Sequence, residues 1–110
     1  MSYQHRELAA GRWNLFSFAE QMSNVGSEIE RTISWKTKGR PDYSDRAFDR
    51  AIELLDLTIA DARNRTRLRE LLRVREALAD YFVFNNDYQS TPESWQQYFR
   101  AFLFAVRGKR

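Results

Sequence analysis

Arg63, Arg65, Arg67, Arg69 and Arg73 crowd one short stretch of this chain, and Arg75 follows directly. The guanidinium group is planar and permanently charged, and its fork grips two oxygens of a phosphate or carboxylate at once. Arginine outnumbers lysine fifteen to three, although the net charge is only +3. Three of the five clustered arginines lie at or before the expected start of a helix. There the free N–H groups and the helix dipole favour an anion and oppose the arginines themselves. The cluster is therefore a candidate anion-binding site. The competing reading is a solvated face offset by Asp61, Glu70 and Glu76.

Arg75 poses a sharper problem. At about 100° per residue it falls among Leu71, Leu72, Leu78, Ala79 and Phe82, the expected inward side of its helix. A guanidinium buried there needs a carboxylate, because an unpaired buried charge is costly. Glu30, at the edge of another apolar stripe, is the expected partner. The alternative is that Arg75 lines a cleft and awaits phosphate or RNA.

Other chemistry is thinly provided. With one histidine, His5, and no cysteine, a histidine dyad, a two-histidine zinc site, thiolate chemistry and disulfides are excluded. Gly11, Gly26, Gly39 and Gly108 are too scattered for a phosphate loop. Glu28, Glu53, Asp56 and Glu76 fall on expected solvent faces, without the Glu-x-x-His pairs of di-iron bundles. No catalytic residue, metal or cofactor is expected.

Four helices must position these groups. Residues 1–12 read as a flexible polar lead-in, 13–107 as one helical domain, and 108–110 as a basic tail. Asn14 or Ser17 can cap a first helix, and Ser17 with Glu20 fits a capping box; Leu15, Phe18, Met22, Val25, Ile29 and Ile33 step by threes and fours. Gly26 beside that stripe costs about 1 kcal/mol against alanine, and it would let another helix approach closely. Lys38-Gly39-Arg40-Pro41 is a stop. A second helix starts at Asp42 or Ser44, with Ala47, Phe48, Ala51, Ile52, Leu54, Leu55, Thr58, Ile59 and Ala62 in a broad apolar arc. The third is expected from about Thr66 to Phe84, turning Leu68, Leu71, Leu72, Leu78, Ala79 and Phe82 inward. Thr91-Pro92-Glu93 signals a fourth helix, ending at Gly108, with Trp95, Tyr98, Phe99, Phe102, Leu103 and Val106 on one face. Short loops between long amphipathic helices make the expected fold class all-α, an antiparallel four-helix bundle.

Trp35 and Phe104 fall opposite their helices' stripes, and Phe84 and Tyr88 border a polar loop. Together they form a candidate interface and make a homo-oligomer the expected assembly, with another protein or RNA as further partners. No segment approaches the roughly 20 apolar residues of a membrane span. With no secretory signal visible, the expected location is the cytoplasm.

The run from Ala51 to Ile59 (AIELLDLTI) and that from Arg67 to Phe82 (RLRELLRVREALADYF) resemble a family of small uncharacterised prokaryotic all-helical proteins, over about Asn14 to Arg107. The resemblance implies no particular activity. Size and helix order are also similar to the HEPN superfamily of dimeric helical bundles, which includes ribonucleases. Their signature is an arginine followed a few residues later by a histidine. Arg75 matches the arginine, and Asp80 stands at the histidine position, so only the arginine carries over. A non-catalytic interaction module is the first expectation. A HEPN-like ribonuclease or inactive relative, and a nucleic-acid binder using Arg63 to Arg73, are the alternatives.

Overall fold

Helix-terminal chemistry sets the element boundaries. A computed structural model of the chain describes residues 11–108, of which Arg12–Leu15 form a short 3-10 turn. Helix α1, Phe18–Thr37, opens on a complete capping box. The Glu20 amide donates to Ser17 Oγ at 3.1 Å, and the Ser17 amide donates to Glu20 Oε1 at 2.9 Å. These bonds satisfy two of the amides that every helix start leaves unpaired. The chain then reverses through Gly39, whose φ of +73° suits a residue without a Cβ. Helix α2 spans Pro41–Ala60, with proline in the first turn, where no amide is needed. It therefore begins one residue before Asp42, and neither Asp42 nor Ser44 is its cap.

Asp61 ends α2 and caps a second 3-10 segment, Ala62–Arg67. Helix α3 runs Leu68–Phe82. It is shorter at both ends than the stripe suggests, because the tighter turn consumes Thr66 and Arg67, and Val83 leaves the helix. Helix α4, Pro92–Arg107, is capped by reciprocal bonds between Thr91 and Ser94. Among the described residues the secondary structure is entirely helical.

The core is built from Met22, Val25 and Ile29 of α1, Ala51, Leu54 and Leu55 of α2, Leu71, Val74 and Leu78 of α3, and Trp95 and Phe99 of α4. Helix α1 is the central element, packed most extensively on α2 and α4. Aromatic pairs fix the neighbours: Phe18 meets Phe102, Trp35 meets Tyr43, and Phe48 meets Phe82, with ring centroids 4.8–5.6 Å apart. Gly26 is buried against Phe99, the close approach expected of it.

The sequence stripes need two corrections. Leu15 is 81% exposed and Trp13 takes the core position at that end. The 3-10 turn has about three residues per turn, so extending the α-helical stripe back to Leu15 selects the wrong side. On α3 the inward face is Leu71, Val74 and Leu78, while Leu68 and Leu72 are exposed. Both sets have helical spacing; packing chooses the one that includes Val74.

Candidate functional site

The α3 correction moves Arg75 to the rim of the fold. Its guanidinium Nε donates to Asp56 Oδ1 at 2.7 Å, and Nη2 donates to Oδ2 at 3.3 Å. The two side chains are 42% and 49% exposed. The expected clamp to Glu30 does not form: Glu30 is exposed and lines a groove between α1 and α4, while Arg75 faces α2. The hydrogen bond from Arg75 to Asp56 raises the arginine pKa further above its ordinary value. A half-exposed ion pair contributes little, because water already solvates both partners. Arg75→Ala is therefore expected to cost less than about 1 kcal/mol. A urea unfolding midpoint close to that of the unmodified chain would bear this out.

Asp80, at the position of the missing histidine, organises the loop after α3. It is buried, and its carboxylate accepts the amides of Asp87 at 2.8 Å and Tyr88 at 3.0 Å. The Tyr88 hydroxyl donates to Glu76 Oε1 at 2.8 Å. Asn86 and Gln89 adopt positive φ within this loop.

The arginine cluster divides in the fold. Arg63 is committed to Asp61, and its Nη2 also donates to the Phe16 carbonyl at 2.7 Å. Arg67 lies over the Phe18 ring at 4.3 Å, a cation–π contact. Arg65, Arg69 and Arg73 stay exposed and make no ion pair among the described residues. These three carry charge that no described carboxylate or ring engages, as anion binding requires.

The candidate interface is also partly consumed within the chain. Trp35 is half-buried, stacked on Tyr43 and approached by Lys38 at 5.2 Å. Phe84, Tyr88 and Phe104 remain exposed. Phe104 lies near the end of α4 opposite the loop that holds Phe84 and Tyr88, so the three do not form one patch. Other apolar residues share one side of α3, Leu68 and Leu72 near its start and Ala79 near its end, with Arg75 and Glu76 between them; Val83, Phe84 and Tyr88 follow in the loop. Leu72 is 48% exposed and Phe84 71%.

A buried polar knot is the most elaborate side-chain cluster, and it has no counterpart among the sequence candidates. Asp61 Oδ2 accepts Gln21 Nε2 at 2.9 Å, and Asn64 Nδ2 donates to Gln21 Oε1 at 2.9 Å. Gln21 also donates to the Trp13 carbonyl, and Trp13 Nε1 donates to Thr58 Oγ1 at 3.0 Å. The Arg63 hydrogen bond is the main cause that lowers the Asp61 pKa to about 2, against opposing desolvation. Every polar group here is used internally, so the knot joins the two 3-10 segments to α1 and α2. Burial, and then the bond to Glu70, likewise raise the Tyr98 hydroxyl well above its ordinary range.

Among the described residues, no group of three or more His, Cys, Asp or Glu side chains is placed to hold a metal ion. No described helix is long and apolar enough to cross a membrane. His5 and the tail residues 109–110 lie outside the described residues, as does the lead-in except Gly11 and Arg12. Comparison with family models, curated proteins and solved structures gives no match.

Proposed function

We propose that this chain is a non-catalytic helical interaction module, an antiparallel four-helix bundle that acts as a homodimer. The antiparallel arrangement is supported by contacts between opposite helix ends: Phe18 with Phe102, and Phe48 with Phe82. The absence of cysteine fits a reducing cytoplasm.

The observation that carries self-association is the exposed apolar group of Leu68, Leu72, Val83 and Phe84. Single exposed apolar residues are ordinary, but several gathered on one side of a helix and the loop after it support a contact surface. Light scattering across micromolar concentrations is expected to give the dimer mass. Leu72→Asp is expected to give the monomer with unchanged helical circular dichroism, because Leu72 lies outside the protomer core. A monomeric wild type at every concentration overturns the reading.

A second reading, nucleic-acid binding, is supported by the unpaired Arg65, Arg69 and Arg73. RNA affinity would then fall steeply with salt, and the log–log slope would flatten by about 1 for each arginine–phosphate contact removed. Absence of binding at low salt rejects it. A HEPN-like nuclease reading has less support, since Arg75 is engaged by Asp56 and Asp80 by two loop amides.

A further inference from the structure

On α2, Asp45, Asp49, Ile52 and Asp56 step by threes and fours along one side. Asp45, Asp49 and Asp56 are exposed, and Ile52 is half-buried outside the main core. That side of α2 borders α3, because Asp56 reaches Arg75 and Phe48 packs on Phe82. Asp45 and Asp49 make no ion pair among the described residues. Asp45 and Asp49 therefore lie at the end of this face beside Phe82 and Val83, and the unpaired Arg69 and Arg73 lie at its other end beside Leu68 and Leu72, with Ile52 and the Arg75–Asp56 pair between.

From this order we infer that the α2–α3 face is the surface through which two copies of the chain join. The inference rests on the homodimer reading and names its interface. A two-fold axis crossing the middle of this face lays the aspartates of each copy on the arginines of the other. A two-fold contact must be self-complementary, and a face carrying opposite charges at its two ends is so. The charges supply register and the leucines supply burial. Pairing α3 on α3 in parallel would oppose arginine to arginine. Nucleic acid would set phosphates near Asp45 and Asp49 and leave two leucines wet, whereas nucleic-acid interfaces are polar and strongly positive.

Complementation of two charge-reversed variants tests this. Arg69→Glu/Arg73→Glu makes both ends of the face acidic, and Asp45→Lys/Asp49→Lys makes both ends basic. Each variant, checked for helicity by circular dichroism, is expected to dimerise at least about a hundredfold more weakly than wild type, because like charges would face each other. An equimolar mixture is expected to regain the dimer mass, and the wild-type dimer to weaken as salt rises. A wild-type dimer with both variants still dimeric overturns this surface and leaves self-association standing. Monomeric variants that stay monomeric when mixed overturn the charge pairing. A monomeric wild type overturns self-association and this interface together. If that monomer also binds RNA in a manner abolished by Arg69→Glu/Arg73→Glu, the arginines belong to nucleic-acid recognition instead.

Discussion

Asp61→Ala is expected to destabilise the chain by about 3 kcal/mol, because it removes the buried acceptor on which the Gln21 and Arg63 donors converge. Asp61 is 4% exposed. It accepts the Arg63 backbone amide at 3.0 Å, the Arg63 guanidinium at 2.7 Å and the Gln21 amide at 2.9 Å. Gln21 is fully buried and cannot turn to water, so its freed N–H would stay unsatisfied. A typical domain is stable by about 5–15 kcal/mol, so the loss should lower Tm by roughly 10–20 °C. Acid should expose the ionic part of the effect. The folded pKa is about 2 against 3.8 for the free side chain, so the ionised carboxylate stabilises the fold fully above about pH 4. That contribution, roughly 2 kcal/mol, disappears as pH falls from about 4 to 2. Asp61→Asn should lack this acid-sensitive component while keeping one acceptor oxygen. Urea midpoints for wild type and Asp61→Asn should therefore differ most near neutral pH and converge toward pH 2. A gap that does not change with pH would show that Asp61 acts through shape and neutral hydrogen bonds alone.

The knot that this substitution attacks was illegible in the sequence for a physical reason. Gln21 lies forty residues from Asp61 and forty-three from Asn64, and a polar side chain gives no periodic signal of burial. Trp13 was hidden by a change of period, since the 3-10 turn takes it inward while the α-helical stripe points to Leu15. Local chemistry was plainly readable by contrast. The Ser17–Glu20 box, the stop at Gly39 and the Thr91-Pro92 start depend only on neighbours within one turn, and each stands where its residues imply. Helix α3 lies between these cases. It offers two apolar rows, Leu71-Val74-Leu78 and Leu68-Leu72-Ala79, and periodicity cannot rank them. Treating them as one broad face made Arg75 look central. Once Val74 defines the inside, Arg75 becomes a rim residue, Asp56 on the adjacent helix becomes its partner, and Leu68 with Leu72 becomes surface.

Gly26→Ala should destabilise the fold even though alanine is the better helix former by about 1 kcal/mol. A Cβ at position 26 would lie 2.7 Å from Phe99 Cβ, 2.9 Å from its Cγ and 3.0 Å from its Cδ1. The first of these atoms is fixed to the α4 backbone, so rotating the phenylalanine ring cannot relieve the contact. Relief requires α1 and α4 to separate, which disturbs the core around Met22, Val25 and Trp95. Overpacking of this kind costs about 1–3 kcal/mol, and the backbone position of the clash points to the upper part of that range. A bulkier Gly26→Leu should exceed it and shift the near-ultraviolet circular dichroism of the α4 aromatics. Phe99→Ala alone should cost about 3–5 kcal/mol through the cavity it leaves. The double variant Gly26→Ala/Phe99→Ala should cost less than the sum of the two, because Cγ and Cδ1 are gone and only the Cβ contact persists. The rescue should be partial for that reason. Strict additivity in urea unfolding would show that the two helices do not meet at Gly26, whereas a stabilising Gly26→Ala would show that α4 yields to a methyl group without loss of packing.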